Sequence, residues 1–204
     1  LEKVTVTGGE IIPACAFSNM PTLKEVDFSG TEITEIREKA FQNCTSLATV
    51  KLPDTVTSYG NYSFYNTPIT SLNPKSVITS IGEHAFAECS KLKSITIPDT
   101  CETIGFRAFR NCKALTKMTV PESVSTIEAS TFEGCTSIKE LTLPYASTRR
   151  DLALAVSSND WNSSISDLFI YSWNNLENIN LDFSDYALEK VTVTGGEIIP
   201  ACAF

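Results

Sequence analysis

A phenylalanine returns along this chain about every 23 residues. Phe17, Phe41, Phe64, Phe86, Phe109 and Phe132 stand 24, 23, 22, 23 and 23 apart. Polar and apolar positions repeat in a constant order around each of them. Six residues after most of them an apolar triplet begins, spaced L-x-x-I-x-I. It reads Leu1-Val4-Val6, Leu23-Val26-Phe28, Leu47-Val50-Leu52, Leu92-Ile95-Ile97, Leu115-Met118-Val120 and Ile138-Leu141-Leu143. The last two members are two residues apart, so they share one face of a short strand, and the polar residues between them take the other face. Pro53, Pro98, Pro121 and Pro144 close several of these strands, where the chain must leave a ladder.

A second apolar column lies five residues before each phenylalanine: Ile12, Ile36, Tyr59, Ile81, Ile104 and Ile127. A small residue directly precedes it: Ala16, Ala40, Ser63, Ala85, Ala108 and Thr131. Each period thus predicts a strand, a turn and a return segment that plugs its phenylalanine into a core. One such rung cannot cover its own apolar face, so neighbours must stack on it. The predicted fold is a repeat solenoid, with short parallel strands on one side and irregular or short helical return segments on the other.

The periodicity divides the chain. Regular rungs run over 1–144, an aberrant stretch over 145–187, and a further rung begins at 188. Ile165-Leu168-Ile170 and Leu188-Val191-Val193 still fit the strand triplet, and Phe183 fits the phenylalanine slot. The slot at Ile69-Leu72 is weak, because Asn73-Pro74 replaces its last apolar member. Tyr145–Ser164 reads as an insertion, with a short helix over 151–156 capped by Thr148. A strand at Leu176-Ile179-Leu181 is a rival reading, on the return side. Residues 1–17, LEKVTVTGGEIIPACAF, recur unchanged at 188–204, an offset of 187. That identity reads as a duplicated eight-rung block, or else as a copied segment. The chain stops in mid-rung at Phe204, so a single domain that continues beyond both ends is expected.

The pattern L-x-x-I-x-I-P followed by I-G-x-x-A-F-x-x-C is carried here by Leu92–Pro98 and by Ile104-Gly105-Phe106-Arg107-Ala108-Phe109-Arg110-Asn111-Cys112. It resembles the BspA-like, or Treponema pallidum-type, leucine-rich repeats. The likeness covers 1–144 and 188–204 well and 145–187 poorly. It implies a right-handed leucine-rich-repeat array of ~23-residue rungs whose strands line a concave face. It also implies an extracellular or cell-surface bacterial protein that adheres to host matrix, other cells or glycans, without assigning any ligand residue.

Composition changes the picture little. The net charge of −8 and pI near 4.7 argue against nucleic acid, which needs a basic stripe. No segment approaches the ~20 apolar residues that span a bilayer. Seven cysteines suggest disulfides or metal until their positions are read. Cys44, Cys89, Cys112 and Cys135 lie three residues after the core phenylalanine, where Met20 and Thr67 stand in other rungs. Such a column calls for buried, reduced thiols rather than ligands. Cys101 reads as a core substitution, while Cys15 and Cys202 share an outward, variable column with Lys39, Tyr62, His84, Arg107 and Ser130. His84, the single histidine, is therefore expected to be solvated. No nucleophile–base motif, metal motif or phosphate-binding glycine loop is present, so no enzyme activity and no cofactor are expected.

The outward positions of the strands carry Thr, Ser, Lys and Glu, including Glu140 and Thr142. In the aberrant rung the same positions hold Asp167, Phe169 and Tyr171, and both tryptophans, Trp161 and Trp173, fall nearby in sequence. Aromatic residues of this kind anchor protein interfaces and stack on sugars. These seven residues are the candidate ligand patch; the competing reading has the rings filling space left by the irregular rung. The function expected is a surface adhesion or recognition module for host or partner proteins. A glycan-binding module and a structural spacer are the alternatives.

Overall fold

The computed structural model describes residues 1–72, 77–128 and 130–138, together with the backbone of three strands beyond them. The described chain is a stack of parallel rungs. On one side lie β1 (Lys3–Thr5), β3 (Glu25–Asp27), β5 (Thr49–Lys51), β7 (Ser71–Leu72), β9 (Ser94–Ile95), β11 (Lys117–Thr119), β13 (Glu140–Leu143), β14 (Asp167–Ile170) and β15 (Lys190–Val193). On the return side lie β2 (Ile11–Ile12), β4 (Glu35–Ile36), β6 (Ser58–Tyr59), β8 (Ser80–Ile81), β10 (Thr103–Ile104) and β12 (Thr126–Ile127). Among the described residues there is no helix.

The strands that pair do so in parallel with their equivalents in the next rung, because equal repeat positions align. Val4 stands opposite Val26 and Val26 opposite Val50, just as Ile12 stands opposite Ile36 and Ile36 opposite Tyr59. The return ladder is one sheet of six strands, β12-β10-β8-β6-β4-β2. The strand side is interrupted, as β1-β3-β5, β7-β9 and β11-β13-β14-β15. The weak slot at Ile69-Leu72 does form a strand, β7, of two residues, and both Ile69 and Leu72 are buried. The expected helix over 151–156, the insertion around it and the rival strand at 176–181 lie outside the described residues.

The phenylalanines form the spine of the core. Phe41, Phe64, Phe86, Phe109 and Phe132 are buried, and Phe17 packs half-buried at the edge of the stack. Successive rings lie 5.3, 5.1, 5.5, 5.5 and 5.8 Å apart and within 14° of parallel. Tyr59, the aromatic substitute in the isoleucine column, meets Phe64 and Phe86 edge-on, at 5.9 and 5.1 Å. Its hydroxyl is buried without a hydrogen-bond partner. An unsatisfied buried hydroxyl costs about 1–3 kcal/mol that a hydrogen would not. Tyr59→Phe is therefore expected to raise the stability by about 1 kcal/mol in urea unfolding, and a loss of stability would show that the hydroxyl has a partner.

Each return segment makes a double turn around its phenylalanine. The residues two before it (Cys15, Lys39, Tyr62, His84, Arg107, Ser130) and two after it (Asn19, Asn43, Asn66, Glu88, Asn111, Gly134) all have positive φ, between 52° and 71°. These left-handed residues turn their N–H groups along the stack. Tyr62, Phe64 and Asn66 donate to the carbonyls of Glu83, Ala85 and Ala87 in the next rung, at 2.8–2.9 Å. The residues between them bond within the rung, Ser63 to Gly60 and Tyr65 to Tyr62. A helix would satisfy these groups internally; here alternate donors tie one rung to the next. Asparagine tolerates the left-handed region, which accounts for its frequency after the phenylalanine. Its side chains add a ladder, Asn66 to Asn43 and Asn43 to Asn19, each at 3.0 Å.

The cysteine column is buried and free, as its alignment with Met20 and Thr67 predicts. The structure adds a partner for each thiol. Sγ of Cys44, Cys89, Cys112 and Cys135 donates to the carbonyl of Phe17, Phe64, Phe86 and Phe109, at 2.9–3.2 Å. Cys101 is buried and Cys15 exposed, while Cys202 lies outside the described residues. Burial pushes the thiols of Cys89 and Cys101 up to about 11, against about 8.5 in an unfolded chain. Folding thus favours the neutral thiol. That contribution is complete below about pH 8.5 and is lost as pH rises toward 11. At pH 8 a thiol reagent is expected to modify Cys15 quickly and the five buried thiols only on unfolding. Fast native labelling at any of Cys44, Cys89, Cys101, Cys112 or Cys135 would contradict the packing.

Candidate functional site

Parallel stacking turns a 23-residue spacing in sequence into a nearest-neighbour contact. The variable columns at the turn edge therefore build surface patches out of distant residues. One is aromatic. Tyr62 and His84 occupy the left-handed position two before the phenylalanine in successive rungs, and their rings stack at 4.7 Å with an 8° tilt. Tyr65 lies tilted against Tyr62 at 5.7 Å and edge-on to His84 at 6.3 Å. Phe106 closes on the far side of His84 at 5.7 Å. Cations cap the group at each end: Lys39 Nζ lies 5.8 Å from the Tyr62 ring centre and Arg107 Cζ 4.7 Å from that of Phe106. All four rings are half-buried.

Carboxylates hold the cations beside them. Arg107 Nε is 3.2 Å from Glu133 Oε2, Arg110 Nε is 3.1 Å from Glu133 Oε1, and Arg110 Nη1 is 3.1 Å from Glu88 Oε1. The Glu133 carboxylate thus pairs with two arginines of the preceding rung. The Tyr62 hydroxyl donates to Glu83 Oε1 at 3.3 Å.

His84 departs from expectation. Its column does face outward, but only 12% of its side chain is exposed, because Tyr62, Tyr65 and Phe106 cover the ring. Burial lowers its pKa below the ordinary histidine value, so the ring is neutral at pH 7. Nδ1 is buried without a partner, and Nε2 is 3.8 Å from Glu83 Oε1. Neutral and without a nucleophile on either nitrogen, His84 serves here as an aromatic surface. Among the described residues no group of three or more His, Cys, Asp or Glu is arranged to hold a metal ion.

The strand side carries a different surface. Lys3 Nζ lies 3.1 Å from Glu25 Oε1, and Lys51 Nζ lies 3.5 Å from Glu25 Oε1 and 3.1 Å from Asp27 Oδ2. The Ser29 hydroxyl and amide, with Lys51, hold Asp27 down to about 2. These are rung-to-rung pairs on an exposed face, each of small net value.

The residues anticipated as a ligand patch fall into two groups. Glu140 and Thr142 lie on β13 and Asp167 and Phe169 on β14, paired Glu140 with Asp167 and Thr142 with Phe169. The backbone register thus brings these four into one pair of adjacent strands. Tyr171, Trp161 and Trp173 lie outside the described residues. The turn-edge cluster was not anticipated. Its columns hold no constant residue type, so a search for repeating apolar positions passes over them. Its signal is Tyr62 and His84 falling one period apart in one variable column.

The sequence matches the BspA type leucine rich repeat region, in six copies, over residues 10–139 and 58–180. No curated protein matches it. Among solved structures, the pneumococcal vaccine antigen PcpA is similar over the whole of this chain and 60% of its own, at 20% identity and a TM-score of 0.51. A leucine-rich repeat protein from Bacteroides ovatus is similar over 98% of this chain and 73% of its own, at 15% identity and a TM-score of 0.47. The leucine rich repeat protein of T. pallidum is similar over 100% of this chain and 71% of its own, at 18% identity and a TM-score of 0.43. Stacked parallel rungs, a phenylalanine spine and a family match spanning most of the sequence agree: the chain belongs to the BspA-type leucine-rich repeat family.

Proposed function

We propose that this chain is a cell-surface adhesion and recognition module that binds a host or partner protein through the surface of its solenoid. The observation that carries the reading is the turn-edge cluster of Tyr62, Tyr65, His84 and Phe106 flanked by Arg107 and Arg110. Tyrosine and arginine dominate the residues that anchor protein interfaces. Here both are already ordered, by ring stacking and by Glu133, so binding loses little side-chain entropy. The fold is shared with a pneumococcal vaccine antigen, which agrees with a surface location. No described helix is long and apolar enough to cross a membrane. The second surface we propose is the row at Glu140, Thr142, Asp167, Phe169 and Tyr171, with Trp161 and Trp173.

The test is a binding screen against matrix proteins and a glycan panel, with two double variants of checked stability run beside the parent chain. Tyr62→Ala/Phe106→Ala is expected to weaken protein binding at least about tenfold, the scale of an interface anchor. Loss confined to Phe169→Ala/Tyr171→Ala would move the site to the strand row. Binding to glycans alone would replace the protein reading, and no binding at all would leave a spacer.

A further inference from the structure

The charge pattern of the described residues singles out one corner of two adjacent rungs. Acidic residues outnumber basic ones, 24 to 16, so a cation on this surface readily finds a carboxylate. Elsewhere in the described chain lysine and arginine hold a carboxylate oxygen at 2.6–3.5 Å, from Lys3 with Glu25 to Arg110 with Glu133, and Lys117 has a partner too. Lys91, Lys93 and Lys113 alone among the described lysines and arginines have no carboxylate beside them, and all three are exposed.

Their place follows from the repeat. A tight turn joins the cysteine column to the first apolar residue of each strand. The Leu92 N–H donates to the Cys89 carbonyl and the Leu115 N–H to that of Cys112, both at 3.0 Å. These four residues are buried, which leaves the two between each pair at the surface. In the rungs of Met20, Cys44 and Cys135 the two are Pro-Thr, Thr-Ser and Thr-Ser. Here they are Ser90-Lys91 and Lys113-Ala114. Lys93 follows on the far side of Leu92, its N–H on the Thr70 carbonyl at 2.9 Å. With rungs ~5 Å apart and ~3.3 Å per residue along a strand, the three lysines share a patch roughly 10 Å across.

We propose that this lysine corner docks a short acidic segment of the protein partner, beside the aromatic cluster; this rests on the chain being a protein-recognition module. The two surfaces adjoin, because only Asn111 and Cys112 separate Lys113 from Arg110, which holds Glu133 at the edge of the cluster. Aromatic anchors with a charged rim are the usual anatomy of a protein interface, and rim charges govern the rate and register of encounter. A long polyanion fits less well. The net charge of −8 repels it wherever salt does not screen. Along the stack it would also run onto acidic positions, Glu25 and Asp27 on β3, Glu140 on β13 and Asp167 on β14. A protein that presents a few acidic residues and is not strongly acidic elsewhere avoids both penalties.

The test uses the full chain and a blocked tetraglutamate peptide as the probe, followed by two-dimensional NMR at low salt. Shifts are expected to concentrate at 90–94 and 112–114. Lys91→Gln/Lys93→Gln/Lys113→Gln is expected to weaken binding about tenfold, the scale of three exposed ion pairs. Salt at ~0.2 M is expected to weaken the parent chain similarly and to change the triple variant little. Tyr62→Ala/Phe106→Ala is expected to bind the peptide as the parent does. Shifts centred on other lysines, or equal binding by the triple variant, would overturn the proposal. Binding of a heparin tetrasaccharide without binding of tetraglutamate would assign the corner to sulfated glycans instead. The screen against matrix proteins separates the two readings. Tetraglutamate bound at the corner with no protein captured would sink the recognition module and the partner assigned to the corner with it. A captured protein whose affinity is unchanged in the triple variant would sink the lysine corner alone.

Discussion

Phe109→Ala is expected to lower the unfolding free energy by about 3–5 kcal/mol, the range for truncating a fully buried aromatic. The ring is completely buried and lies between Phe86 at 5.5 Å and Phe132 at 5.8 Å. Its removal loses about 2 kcal/mol of transfer free energy. It also breaks two stacked contacts, worth about 0.5–1.5 kcal/mol each. The remainder is the cavity, which the rungs cannot close, because the Phe109 N–H and carbonyl are tied to Thr131 and Cys112. Phe17→Ala supplies the internal comparison, since its ring is half-buried and has one stacked neighbour; about 1–2 kcal/mol is expected there, by the buried area lost. The measurement is urea unfolding followed by far-ultraviolet circular dichroism. In a stack held by nearest-neighbour contacts, a defect at Phe109 also loosens the coupling between the rungs on either side. The slope of the transition is accordingly expected to fall in Phe109→Ala and to stay unchanged in Phe17→Ala. Equal costs at the two positions would show that the phenylalanines do not form a continuous spine.

The spine was legible because it rests on composition at a fixed period. A column that accepts only phenylalanine can be read from one sequence, and so can the cysteine column once Met20 and Thr67 are seen to share it. Both turned out buried except at the edge rung, where Phe17 and Met20 are half-buried. The return ladder was half legible. Ile12, Ile36 and their equivalents marked an apolar column, but strands of two residues are too short to show an alternation, and their pairing is a property of the stack. The left-handed position before the phenylalanine was not legible at all. Lys39, Tyr62 and Arg107 occupy it although none of them favours positive φ. What holds Lys39 and Tyr62 there is the hydrogen bond of each N–H to the next rung, a tertiary demand that overrides local preference. The turn-edge cluster follows from the same cause. His84 was placed correctly on the outer side and wrongly in solvent, because the residues that cover it are 22 positions away, at Tyr62 and Phe106.

The junctions between central rungs are sensitive in a different way from the spine. Gly105→Ala is expected to destabilise the chain by about 1–3 kcal/mol, the cost of overpacking a close contact. A Cβ built at Gly105 would lie 2.7 Å from the Glu83 nitrogen and 2.8 Å from the Gly82 carbonyl carbon. Both are backbone atoms of the preceding rung, so no side chain can swing aside. Gly60 and Gly82 meet the same limit at the neighbouring junctions, with backbone atoms at 2.8 and 2.7 Å. Pro13, Arg37 and Glu128 fill the column elsewhere, which confines the constraint to the three junctions in the middle of the stack. Conformational entropy acts the other way. None of the three glycines has positive φ, and alanine at a compatible position gains about 0.4–1 kcal/mol through the unfolded chain. The steric term exceeds that gain only if the rungs cannot part. They are held together by the Gly105 N–H to the Ile81 carbonyl at 2.9 Å and by His84 to Phe106, also at 2.9 Å. Gly30 isolates the entropic term, since nothing lies within 4 Å of its Cβ position and its φ is not positive. In parallel urea titrations Gly30→Ala is expected to be neutral or slightly stabilising while Gly105→Ala loses stability. Equal behaviour of the two variants would mean that the rungs separate easily, and that the spine rather than backbone contact sets their spacing.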